Sequence, residues 1–169
     1  MNTATKSFKA TALASAVLAA GLIMSTGAFA GGTTSLTVNA KISGVCQVTT
    51  APGTLDFGTI DPNGGSNATA TATFVMKCSK GTTSTAATDN GGLNFSTTKR
   101  MQHSATPTAY LPYAIAYSGD VGFAGNGFGG AAGQTVTVTG TITPAQYQTA
   151  LATGTGEVYA DTVTITVNP

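Results

Sequence analysis

The chain has 169 residues, and about 139 of them follow a candidate cleavage site at Ala30, enough for one domain with a buried core. Only 8% of the chain is charged, and beyond residue 30 five basic side chains stand against six acidic ones. No basic face is available to hold phosphates, which argues against a nucleic-acid partner. Thr, Gly and Ala dominate, with Val, Ile, Leu, Phe and Tyr in periodic positions. This is the composition of a β-protein with hydroxyls on its outer faces and not of a disordered chain.

The chain opens with Lys6 and Lys9 and no acid, followed by an apolar run over 10–24 and the small residues of Ala28-Phe29-Ala30. That order predicts a secretory signal over residues 1–30, cut after Ala30. The run is too short for a comfortable membrane span, and no later run is longer. Residues 31–43 follow as a separate amino-terminal strand. In Thr33 to Ile42, the side chains of Leu36, Val38, Ala40 and Ile42 point one way and Ser35, Thr37, Asn39 and Lys41 the other. Such a strand is free to pair within its own domain or with another molecule.

Residues 44–169 form the main domain. A short strand over 44–49 carries Cys46, and Pro52-Gly53 turns the chain. Leu55 and Phe57 alternate in a strand over 54–60, and Asp61 to Gly65 marks a turn, with Asp56 and Asp61 as turn-capping carboxylates. Residues 67–78 form the clearest strand, with Ala68, Ala70, Ala72, Phe74, Met76 and Cys78 on its inward face. Cys46 and Cys78, an even pair in a secreted chain, read as one disulfide. Residues 80–92 read as a polar loop, Leu93 and Phe95 as a strand, and residues 99–108 as another loop. The run 110–117 alternates with Leu111, Tyr113, Ile115 and Tyr117 inward, and Pro112 places it at an edge or a strand start. A glycine-rich loop spans 119–133. Val136, Val138 and Ile142 then share one face of a strand over 134–142, Thr143-Pro144 starts a helical turn, and 157–167 closes the chain with Tyr159, Val163, Ile165 and Val167 inward. The spacing predicts an all-β sandwich of antiparallel sheets.

Chemical motifs are sparse. Gly125 to Gly130 fits G-x-G-x-x-G, but an alternating strand follows where a dinucleotide site needs a helix. His103 reads as a solvated loop residue, and the chain has no G-x-S-x-G elbow. With one His and no close Cys spacing, neither a metal site nor a redox site is expected. No cofactor or catalytic residue is assigned, and the chain is not read as an enzyme.

The ordered pieces resemble the spore coat protein U family, which includes the major pilins of archaic chaperone–usher pili. The resemblance rests on the amino-terminal alternation before Gly44-Val45-Cys46, on Leu55-Asp56-Phe57-Gly58 leading to Asp61-Pro62, and on Val75-Met76-Lys77-Cys78. Arg100-Met101, Leu111-Pro112-Tyr113 and the stretch from Tyr159 to Val167 complete it. It implies an immunoglobulin-like sandwich that lacks its last strand and exposes an open groove. A periplasmic chaperone would fill that groove first, and at an outer-membrane usher the amino-terminal strand of the next identical subunit would replace it. Leu36, Val38, Ala40 and Ile42 are then donor residues, and Val163, Ile165 and Val167 the edge of the groove. The implied product is a cell-surface pilus supporting adhesion and biofilm formation, with a tip adhesin as a further partner. Two rivals stand beside it. One is a coat protein of spores or cysts. The other is a self-contained sandwich that binds a ligand through Tyr110, Phe123 and Phe128.

Overall fold

A computed structural model describes residues 31–130 and 132–169, so the expected signal segment lies outside the described residues. The chain divides into a unit that ends at Asn39 and a β-domain over Ala40–Pro169. Residues 31–39 of the first unit carry no regular secondary structure and are exposed.

The β-domain is an antiparallel, immunoglobulin-like sandwich. Its strands are β1 (Cys46–Thr50), β2 (Ala68–Cys78), β3 (Thr85–Asp89), β4 (Arg100–His103), β5 (Tyr110–Pro112), β6 (Ala114–Ser118), β7 (Gln134–Ile142), β8 (Tyr159–Ala160) and β9 (Ile165–Asn168). One helical turn, α1 (Pro144–Tyr147), follows β7. The main sheet runs β1-β2-β7-β6. A pair β3-β9 and a triplet β5-β4-β8 make the smaller sheets.

The two long alternations of the sequence become the centre of the main sheet. Phe74 lies opposite Val136 and Ala72 opposite Val138, so the inward faces of β2 and β7 coincide. Phe74, Met76, Val136 and Val138 form one buried cluster, against which Ile165 and Val167 of β9 pack. Leu111, Tyr113, Ile142 and Tyr147 form a second cluster, joined by Met101, Tyr159 and Val163. The Cys46–Cys78 disulfide ties β1, otherwise exposed, to β2.

Several elements differ from the sequence expectation. Residues 33–42 alternate as a strand would, yet none of them enters a ladder, since an alternating segment becomes a strand only when it finds a partner. The expected loop over 80–92 contains β3, whose T-A-A-T-D sequence has no apolar stripe and is a strand because β9 pairs with it. The loop over 99–108 likewise contains β4, held between β5 and β8. Leu93 and Phe95 belong to no strand and are exposed. The closing run splits into β8 and β9 around Asp161.

A polar cluster joins β3 to β6. Lys99 Nζ lies 3.0 Å from Asp89 Oδ1, and Tyr117 donates its hydroxyl to Asp89 Oδ2 at 2.8 Å. Burial works against the charge on Asp89. The hydrogen bonds from Tyr117, Lys99 and the Gly91 amide outweigh it and hold this carboxyl below the usual carboxylate range. Burial, reinforced by bonds to Asp161 and Asp89 respectively, raises the phenols of Tyr113 and Tyr117. Because the Asp89 value is depressed in the folded state, its stabilisation is present above the unfolded value near pH 4 and is lost as pH falls through the folded value. The urea midpoint should therefore drop more steeply below about pH 4 in the wild type than in Asp89→Asn. Parallel curves would assign the acid sensitivity elsewhere.

Candidate functional site

The smaller sheets cover the main sheet incompletely and leave a groove of about 950 Å³. Its floor is the inward face of the main sheet: Ala72 of β2, Ile115 of β6, and Val138 and Ile142 of β7. One wall is the segment 54–60, and the other runs from Tyr159 to Ile165.

In the first wall Leu55, Phe57 and Ile60 are half-buried, while Thr54, Asp56 and Gly58 face solvent. The sequence predicts a strand here from that alternation. The segment keeps the alternation only as far as Gly58, whose φ of 63° breaks it, and it pairs with no strand among the described residues. A Cβ at Gly140 would lie 2.7 Å from both Leu55 Cδ2 and Phe57 Cζ, so the bare backbone of β7 makes the seat for this wall. Asp56 Oδ1 accepts the Gly58 amide at 2.8 Å, and Asp61 Oδ1 accepts the Asn63 amide at 2.9 Å, the turn roles that the sequence suggests. Tyr147 of α1 donates to the carbonyls of Gly64 and Ser66 and so holds the turn that follows the segment. The helical turn α1 itself starts as predicted, with Gln146 Oε1 accepting the Thr143 amide at 2.7 Å.

The second wall is an open edge. Among the described residues β3 is the only strand that pairs with β9; β1 packs near β9 without pairing, and Ile165 is the one β9 residue that reaches the groove. The Asn90 amide donates to the Thr164 carbonyl at 3.1 Å, and Thr88 lies opposite Thr166. Backbone groups alternate in direction along a strand, so those of Val163, Ile165 and Val167 point away from β3. Val163 and Ile165 line the groove; Val167 packs into the Phe74 cluster instead. The charged lining residues are Asp56, Glu157 and Asp161, all acidic.

Of the amino-terminal residues, Leu36, Val38 and Ile42 are 85%, 81% and 93% exposed, and Ala40 is exposed as well. His103 is not the solvated loop residue that the sequence suggests. It is 2% exposed, and its Nδ1 accepts the amides of Ala105 and Thr106 at 3.2 and 3.1 Å. Its Nε2 faces Glu157 Oε2 at 3.6 Å without a hydrogen bond. Among the described residues, both hydrogen bonds to the ring come from backbone amides. Of the three loop aromatics, Phe123 packs on the core, and Tyr110 lies under the Arg100 guanidinium at 3.9 Å. Only Phe128 is exposed. The sequence expectation places only Val163, Ile165 and Val167 at the groove, and leaves out the floor residues Ala72, Ile115, Val138 and Ile142 as well as Asp161. The signal for Leu55 and Phe57 is present in their alternation.

Among the described residues, no three His, Cys, Asp or Glu side chains gather as a metal site, and no helix is long and apolar enough to cross a membrane. The family model of the Spore Coat Protein U domain matches residues 32–166, a span that includes the alternating segment and the whole groove. No curated protein matches the chain.

Proposed function

The chain belongs to the Spore Coat Protein U domain family, a family of pilus-type structural subunits of the chaperone–usher pathway, and we propose that it polymerises by donor-strand exchange. In this reading, residues 33–42 of one subunit lie in the groove of the next, between the edge of β9 and the 54–60 segment. The observation that carries the reading is the backbone edge at Val163 and Ile165, which pairs with no strand among the described residues and borders an open apolar groove. Such an edge is an aggregation hazard unless a strand covers it.

The chemistry of the donor suits the site. Leu36, Val38 and Ile42 would each gain roughly 1.5–3 kcal/mol on burial, and backbone ladder bonds would add to that. Lys41 is the only charge among residues 33–42, and it would approach a groove whose charges are all acidic. Strand-into-groove contact is head-to-tail and generates open filaments. A periplasmic chaperone would occupy the groove before assembly, and an outer-membrane usher would exchange it for the next subunit. The product would be a surface fibre serving adhesion and biofilm formation.

Deleting residues 31–42 tests the reading. The truncated chain should no longer polymerise and should bind a synthetic Thr33–Ile42 peptide, with a rise in melting temperature. A chain that uses this strand internally would instead lose its fold and gain nothing from the peptide.

A further inference from the structure

We propose that Asp161 is a positioning residue that keeps the open edge beside β9 extended while no strand is paired to it. The inference rests on the donor-strand reading above and concerns how the groove receives its strand. Asp161 sits between β8 and β9 and lines the groove. Its Oδ1 accepts the amides of Leu93 at 2.9 Å and Thr162 at 2.8 Å, with the Asn94 amide at 3.4 Å. Its Oδ2 accepts the hydroxyl of Tyr113, a buried member of the second cluster, at 2.7 Å. One carboxylate therefore ties the groove wall both to the core and to the loop that follows β3.

The need for this tie follows from where the β3–β9 register ends, at Asp89 opposite Ile165. Beyond it, residues 161–164 form the wall without belonging to a strand. Two backbone bonds of 3.1 Å, from the Asn90 amide to the Thr164 carbonyl and from the Leu93 amide to the Thr162 carbonyl, continue past the register, and side chains reinforce them. Asn90 Oδ1 accepts the Thr164 amide at 2.9 Å and the Gly92 amide at 3.0 Å. Gly91 and Gly92, at φ of 80° and 93°, make the turn that aims the Leu93 amide at the carboxylate. A Cβ on Gly92 would collide with that carboxylate. A backbone stretch open on one side otherwise samples many conformations, few of which match an incoming strand. When only a fraction of molecules is competent to bind, apparent affinity falls by that fraction.

The test uses the full mature chain as dilute monomer and a fluorescent Thr33–Ile42 peptide, with association and dissociation rates measured separately. Asp161→Ala should slow association about tenfold, as expected if one molecule in ten keeps a competent edge, and leave dissociation nearly unchanged. Asp161→Asn, which retains an acceptor oxygen for the two amides, should recover most of the rate. Val136→Ala makes a cavity in the buried cluster outside the groove lining and reports what lost stability alone does. If Asp161→Ala does not fold, Tyr113→Phe removes one of the same bonds and should slow association in the same sense. Association as fast as wild type, or slowed no more than in Val136→Ala, overturns the proposal. Failure of the wild type itself to take up peptide overturns the donor-strand reading, and this inference with it.

Discussion

A chain carrying Leu36→Asp and Val38→Asp should fold, oxidise its cysteines and form no fibres. Both side chains are exposed in the single subunit, so the substitutions remove no core contact there. Their effect would fall on the assembled state. Two buried apolar side chains worth roughly 1.5–3 kcal/mol each would be lost. Two carboxylates would then have to enter an apolar groove, at a cost of several kcal/mol apiece if unpaired. Asp56, Glu157 and Asp161 in the lining would add repulsion. Every 1.4 kcal/mol is a factor of about ten in the equilibrium, so the sum suffices to abolish polymerisation. Electron microscopy of the cell surface should show bare cells, with monomer of unchanged melting temperature in the periplasm. Normal fibres would remove Leu36 and Val38 from the assembly contact.

The second large effect concerns the disulfide. Only Cys46 of β1 is even half-buried, so packing alone holds this strand weakly to the domain. The bond closes a loop with a sequence separation of 32. By the chain-entropy estimate, removing it should cost roughly 3–4 kcal/mol. Cys78 is fully buried, so Cys46→Ala with Cys78→Ala also leaves a small void. The denaturant midpoint should fall accordingly, and amide exchange should show β1 opening before β2 and β7. A loss under about 1 kcal/mol would mean that the β1–β2 ladder holds the strand without the bond.

Much of this architecture is readable from the residues. β2 and β7 announce themselves because each buries one face, so apolar and hydroxyl side chains alternate. The cysteines, the Asp56 and Asp61 turns and the cap of α1 are local signals and are legible for that reason. β3 and β4 are not, because neither T-A-A-T-D nor R-M-Q-H carries an apolar alternation, and both become strands through pairing with β9, β5 and β8. His103 looks like a loop residue for the same cause: the ladder that buries it is formed with a distant segment. The 54–60 segment shows the converse. Its alternation is real, but alternation records which face is buried and not whether a neighbouring strand exists. Residues 33–42 carry the same kind of signal. Asp161 is invisible in the sequence as a hub, since its partners lie 48 and 68 residues away.

In the donor-strand reading, a strand from another subunit completes the open edge at Val163 and Ile165. Amide hydrogen exchange at Val163 and Ile165, compared between monomer and assembled fibre, reads this out. These amides should exchange readily in the monomer, where they face away from β3, and become protected in the fibre by orders of magnitude. Equal protection in both states, or free exchange in the fibre, would mean that no strand is added at this edge.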